Sequence, residues 1–225
     1  MKVESLADMT ARFIEQLIIT DELKPGQQIK EDDIAEKLDI SRPPVREAFK
    51  TLEGQGLVIR KPRKGTFVIE MMEKDIREAY TLKAELYALA TELAMDKIVQ
   101  KEKDALALLV KKMGQIVDSE PCDILEYQKI HSEFHNSVMQ IAGNGRLLNF
   151  ASNLHKQIRR FSYQTLHYKE HLRSSSTFHV KIITCIIDDD RVNAARLMKA
   201  HVIEAMKFLL AIPGIFLEEK DRFSA

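Results

Sequence analysis

Four of the seven histidines in this 225-residue chain have the spacing and setting of a metal site. His131 and His135 are four residues apart, so on a helix their imidazoles stand on one face and can chelate one ion. His179 and His201 occur singly, each on or beside an apolar stripe. His179 precedes Val180, Ile182 and Ile183, and His201 lies between Leu197 and Met206. One such histidine is ordinarily a surface or satisfied core residue. Four on three helices of one bundle form a candidate site, because bundle interiors host such constellations. His155, His167 and His171 lack the arrangement and read as surface residues. Glu133, the acid inside the His131–His135 segment, stands two residues from each ligand and so points away from them. A general base for hydrolysis is therefore missing, and the chain is not expected to be an enzyme.

A second constellation lies near the N-terminus, in Ile40-Ser41-Arg42-Pro43-Pro44-Val45-Arg46-Glu47-Ala48-Phe49-Lys50. Ser41 is a favourable N-cap whose hydroxyl can accept from an orphan backbone N–H. Pro43 and Pro44 fall in the first turn, where a missing N–H costs little. Arg42 and Arg46 share a face next to the positive end of the helix, an arrangement that a polyanion would complete. Between Ser41 and Gly65 there are seven basic and two acidic residues, a net of plus five, although the whole chain balances 34 against 34. Phosphate neutralisation needs local clustering of this kind rather than a high overall charge. A solvated basic face on an ordinary helical unit is the competing reading; the cap, the arginine spacing and the basic turn together favour nucleic acid.

The elements that must position these groups follow from periodicity. Leu6, Met9, Phe13 and Leu17 predict a helix from about residue 6 to 19, closed by Leu23-Lys24-Pro25-Gly26. Glu31-Asp32-Asp33 is an acidic helix start leading into Ile34, Ala35 and Leu38. Leu57–Arg60 and Thr66–Ile69 read as two short strands flanking Lys61-Pro62-Arg63-Lys64-Gly65, which cannot be helical. Helix, helix, turn, helix, hairpin is the layout of a winged helix-turn-helix over residues 1–70, whose second motif helix enters the major groove of double-stranded DNA. From 71 to 225 apolar residues recur at helical spacing, predicting helices near 74–98, 101–118, 123–142, 145–168, 174–188 and 190–212. Breaks are expected at Pro121, Gly143 to Gly145, the serine run Ser174 to Ser176, and Pro213-Gly214. The fold class is thus mainly α: a winged helix-turn-helix followed by an antiparallel all-α bundle. No segment approaches membrane-spanning length and no signal peptide is evident, so a cytoplasmic protein without a membrane partner is expected. Cys122 and Cys185 are too few for a disulfide framework.

These residues resemble a known family. Leu23-Lys24-Pro25-Gly26, Ile34-Ala35, Ser41-Arg42-Pro43-Pro44-Val45-Arg46-Glu47-Ala48, Leu52-Glu53, Gly56-Leu57-Val58 and Gly65-Thr66-Phe67-Val68 are similar to the DNA-binding domain of GntR-type bacterial transcription regulators. The resemblance implies operator contacts from Ser41, Arg42 and Arg46, with Gly65 at the wing tip and Lys64 beside it. Where the family often carries a DNA-touching arginine, this chain has Asp32, so contact from that helix would fall to another residue such as Lys30. His131-Ser-Glu-Phe134-His135, Gly143-Asn144, His179 and Ala194-Ala195 through His201 resemble the FCD effector domain of the FadR-type subgroup. That domain holds a divalent metal on an aspartate and three histidines. His135, His179 and His201 match the histidines, and His131 stands in the aspartate's place. A neutral imidazole there favours zinc or nickel over manganese, and a site without His131 stays open. The resemblance also implies a small organic acid effector bound through the metal and a basic residue. Lys83 occupies the position of the usual arginine, as a point charge without a bidentate fork, and Tyr87 that of a usual glutamate. It further implies a homodimer on a palindromic operator, with the effector altering the placement of the two reading heads. The alternative is a metal sensor whose ion is itself the signal.

Overall fold

A computed structural model describes residues 5–216. The described residues divide into two compact units, separating between Met72 and Glu73.

The first unit contains α1 (Leu6–Ile19), β1 (Gln28–Ile29), α2 (Glu31–Leu38), α3 (Arg42–Gly54), β2 (Val58–Lys61) and β3 (Gly65–Val68). The strands form an antiparallel sheet of order β1-β3-β2, with Lys61 opposite Gly65 and Gln28 opposite Phe67. β1 is too short for periodicity to reveal, so it is absent from the sequence-based layout. Ser5 and Asp8 form a reciprocal capping box that starts α1. The buried stripe of α1 is Thr10, Ala11, Ile14, Leu17 and Ile18, whereas Leu6 and Met9 are exposed. The expected stripe was therefore rotated by part of a turn. Ile14, Val45, Ala48, Phe49, Leu52, Leu57, Val58 and Val68 close the core beneath α3. Ser41 stands at the N-cap of α3 with extended backbone, but its hydroxyl makes no capping bond. Pro43 and Pro44 lower the number of first-turn N–H groups that need one.

The second unit is a helical bundle of α4 (Glu73–Met95), α5 (Gln100–Val117), α6 (Ile124–Ala142), α7 (Gly145–Leu166), α8 (Lys169–Ile187) and α9 (Arg191–Leu210). α4 packs along α9 and also against α6 and α7. Tyr80, Tyr127, Phe134, Ile158, Ile182 and Ile186 are among its fully buried side chains. Asp123, Asn144 and Asp190 each cap a following helix through a side-chain oxygen. The expected break at Ser174 to Ser176 does not occur, because α8 runs through it. Ser175 and Ser176 are buried, and Ser175 Oγ accepts a hydrogen bond from Tyr127 Oη at 3.1 Å. A tertiary partner thus satisfies a residue that alone favours turns. Beyond α9, Phe216 lies against Phe161 at 6.0 Å between ring centroids. No helix among the described residues is long and apolar enough to cross a membrane.

Candidate functional site

The bundle brings His131 and His135 of α6, His179 of α8 and His201 of α9 to one buried point. Their nearest ring nitrogens all lie within 4.8 Å of one another. Three Nε2–Nε2 separations form a chain: 3.2 Å from His179 to His135, 3.3 Å from His135 to His131, and 3.4 Å from His131 to His201. Zinc–imidazole bonds of about 2.0–2.1 Å place tetrahedral ligands about 3.3–3.4 Å apart, so these three separations suit nitrogens sharing an ion, while the wider ones, within 4.8 Å, must shorten to complete a tetrahedron. His179 Nδ1 lies 2.7 Å from the Ser175 carbonyl. A carbonyl only accepts, so Nδ1 carries the proton and the Nε2 lone pair faces the cluster. Burial pushes all four imidazoles below their ordinary pKa, His179 to about 4, and neighbouring histidines push His131 and His135 down further. The cluster is thereby kept neutral, as metal binding requires. Glu133 is exposed and does not join it.

A cavity of about 30 Å³ adjoins the cluster, lined by Tyr80, Lys83, His131, His135, His171 and His201 among others. That is room for a water or an ion. Lys83 is the only lysine or arginine in its wall. It is 4% exposed, and burial pushes its pKa down to about 7. Its ammonium has no carboxylate partner among the described residues; it lies 3.3 Å from His155 Nδ1 and 4.8 Å from the Tyr87 ring centroid. Tyr87 is buried beside His135, with ring centroids 5.0 Å apart, and does not line the cavity. Two histidines expected at the surface are not there. His171 is buried, stacks on Phe208 at 4.6 Å and lines the cavity. His155 is half-buried between Lys83 and the Ser132 hydroxyl, 3.2 Å from its Nε2. His167 alone of the three is exposed. Isolated histidines without helical partners in sequence carry no signal of such long-range packing.

In the first unit, α3 presents Ser41, Arg42 and Arg46 on its exposed side. Arg42 Nε lies 2.5 Å from Asp32 Oδ1, and Arg46 Nε donates to Glu31 Oε2 at 2.7 Å. The acidic start of α2 thus compensates both arginines. The wing is different: Arg60, Lys61, Arg63 and Lys64 are exposed and have no ion pair among the described residues. Gly65 has φ +106°, and a Cβ there would approach Gln28 Nε2 to 2.7 Å. That amide donates to the Lys64 carbonyl at 2.8 Å and ties β1 to the wing turn. Sequence reading missed Gln28, because its role depends on the unrecognised strand.

Residues 6–68 match the model of the bacterial regulatory proteins of the gntR family, and residues 78–204 match that of the FCD domain. The chain belongs to the gntR family. It is a bacterial DNA-binding transcription regulator with an FCD effector domain. Its family and relatives are transcriptional regulators, not enzymes. The gntR-family chain is 27% identical over 145 residues to the HTH-type transcriptional regulator YdhC of Bacillus subtilis, a match spanning 64% of each protein. It is 25% identical to the Nta operon transcriptional regulator of Aminobacter aminovorans, across 84% of this chain and 87% of that one. The structure of E. coli McbR/YncC shares the fold, with a TM-score of 0.81 and 18% identity over 92% of this regulator and 98% of that chain.

Proposed function

We propose that this regulator binds a palindromic operator as a homodimer and that a small carboxylate, held by a divalent metal and Lys83, sets its operator affinity. The observation that carries the reading is Lys83. A lysine in the wall of the histidine cavity, buried and without a carboxylate partner among the described residues, is costly to charge. A ligand carboxylate would supply the missing counter-charge, while His131, His135, His179 and His201 hold the ion. An ion on neutral imidazoles keeps its full positive charge and so attracts an anion, which takes a position beyond a four-imidazole set or the one that His131 leaves when it does not ligate. Zinc or nickel suits this nitrogen set better than manganese. Operator affinity then follows the effector by linkage. Ser41, Arg42 and Arg46 read the major groove, and Lys64 and Gly65 bring the wing to the backbone. A protein with these roles works in the cytoplasm.

The cavity volume favours a second reading. About 30 Å³ accepts an ion but no organic acid unless the walls open, so the metal alone could be the signal. One experiment separates the two: metal-stripped protein is titrated with zinc, nickel or manganese, with and without a panel of small carboxylates, and operator affinity is followed by fluorescence anisotropy. A response to carboxylate only in the metal-loaded protein supports the first reading. A full response to metal with none to any carboxylate replaces it with the second.

A further inference from the structure

The two arginines of α3 are held in a particular way. Asp32 and Glu31, adjacent on the first turn of α2, meet Arg42 and Arg46 respectively, and both contacts are made at Nε. A guanidinium is a planar fork of five N–H donors. A carboxylate on its Nε side leaves the outer edge, Nη1 and Nη2, turned away and free. That outer edge can donate two parallel hydrogen bonds to guanine O6 and N7, whereas the Nε edge is taken by the carboxylate. Arg42 and Asp32 are both more than half exposed, at 59% and 63% of their side-chain surfaces. A long exposed side chain otherwise samples many rotamers, and the pair narrows them before DNA arrives. The same carboxylate has an opposite effect on phosphate. It offsets the charge of Arg42 for any contact with the backbone, while Arg60, Lys61, Arg63 and Lys64, which have no ion pair among the described residues, keep theirs for that purpose.

We propose that Asp32 is a specificity-determining residue: it presents the outer edge of Arg42 to a guanine and weakens binding that relies on phosphate alone. This rests on the reading that Arg42 contacts bases. Glu31 does the same for Arg46. Asp33 provides the internal comparison, since it lies on the same helical turn, is exposed and has no ion pair among the described residues. A general benefit of acidic residues at a helix start applies to Asp33 as much as to Asp32.

The test is selection of preferred sites from a random duplex library by full-length wild type, Asp32→Asn, Asp33→Asn and Arg42→Ala, together with affinities for unselected duplex. Both asparagine variants are expected to bind unselected duplex about 1.5- to 5-fold more tightly, the span of one exposed charge pair. Only Asp32→Asn should lower the guanine preference at one symmetric pair of positions, by about threefold or more on the same scale. Arg42→Ala should lose the preference at those same positions. A base preference is a ratio within one preparation, so a loss of folded protein does not move it. If Asp32→Asn and Asp33→Asn select the wild-type motif equally well while Arg42→Ala loses a guanine, the inference fails and the base-reading role of Arg42 stands. If Arg42→Ala also selects the wild-type motif, that role fails and the inference with it.

Discussion

Zinc should raise the melting temperature of the bundle, and removal of one central imidazole should abolish the rise. His135 is the residue to remove, because its Nε2 lies 3.3 Å from that of His131 and 3.2 Å from that of His179, bridging two sides of the cluster. Its Nδ1 is buried without a hydrogen-bond partner among the described residues, so the ring is positioned by packing and by what its Nε2 faces. A ligand at one hundred times its dissociation constant stabilises the folded state by about 2.7 kcal/mol, less any affinity for the unfolded chain. For a unit of this size 1 kcal/mol moves the midpoint by about 2–4 °C, so the expected rise is roughly 5–10 °C. The assay is calorimetry of chelator-treated protein with and without zinc, for wild type, His135→Ala, His179→Ala and His167→Ala. Truncating a buried histidine lowers the baseline, so the zinc-dependent difference within each variant is the quantity read. His167 is exposed, and its variant should keep the full rise. A rise of wild-type size in His135→Ala, or none in the wild type with zinc, nickel or manganese, would refute the site.

Four further outcomes are expected. Lys83→Met should keep the zinc-dependent rise but lose any effect of carboxylates on operator affinity, as titration of both ligands would report. Replacing Arg63 and Lys64 by alanine should flatten the dependence of log affinity on log salt, by about 0.9 for each phosphate no longer neutralised, read from anisotropy across a salt series. Gly65→Ala forces a side chain into a backbone of φ +106° against Gln28, and should cost roughly 1–3 kcal/mol in urea unfolding. Burial holds His171 at about 4, against 6.5 when unfolded. The unfolded chain therefore binds more protons between those values, and stability falls as pH drops through that window. His171→Gln should reduce the stability lost between pH 7.5 and 5 by roughly 2 kcal/mol; an unchanged loss in denaturant titrations would contradict the burial argument.

Much of this was legible in the chain because it is local. The i, i+4 pair His131 and His135 had to share a helical face, and Glu133 had to leave it. Five of the six bundle helices end within about three residues of where periodicity and caps put them, inside the usual boundary error. The sixth, α8, starts five residues earlier than expected, at Lys169. Ser174 to Ser176 look like a break by propensity; Tyr127 and the bundle core supply what the serines lack. His155 and His171 are misread for a related reason. A polar residue's burial depends on partners distant in sequence, such as Lys83 and Phe208. Pairing between strands distant in sequence also decides β1, where two residues become a strand only because Phe67 and Thr66 stand opposite them.

By itself the sequence determined the two kinds of unit, the helix that carries Ser41, Arg42 and Arg46, the basic turn at Lys64 and Gly65, and four histidines able to share an ion. Propensity, capping and periodicity act over a few residues and are written in order along the chain. Only the tertiary structure decided that the four histidines meet at hydrogen-bond distances, that Lys83 faces them with no carboxylate partner among the described residues, and that Asp32 and Glu31 hold the arginines at Nε. Those facts depend on helix packing and on the turn between α2 and α3, which bring together residues from 10 positions apart, Asp32 and Arg42, to 118 apart, Lys83 and His201, beyond the reach of any local pattern.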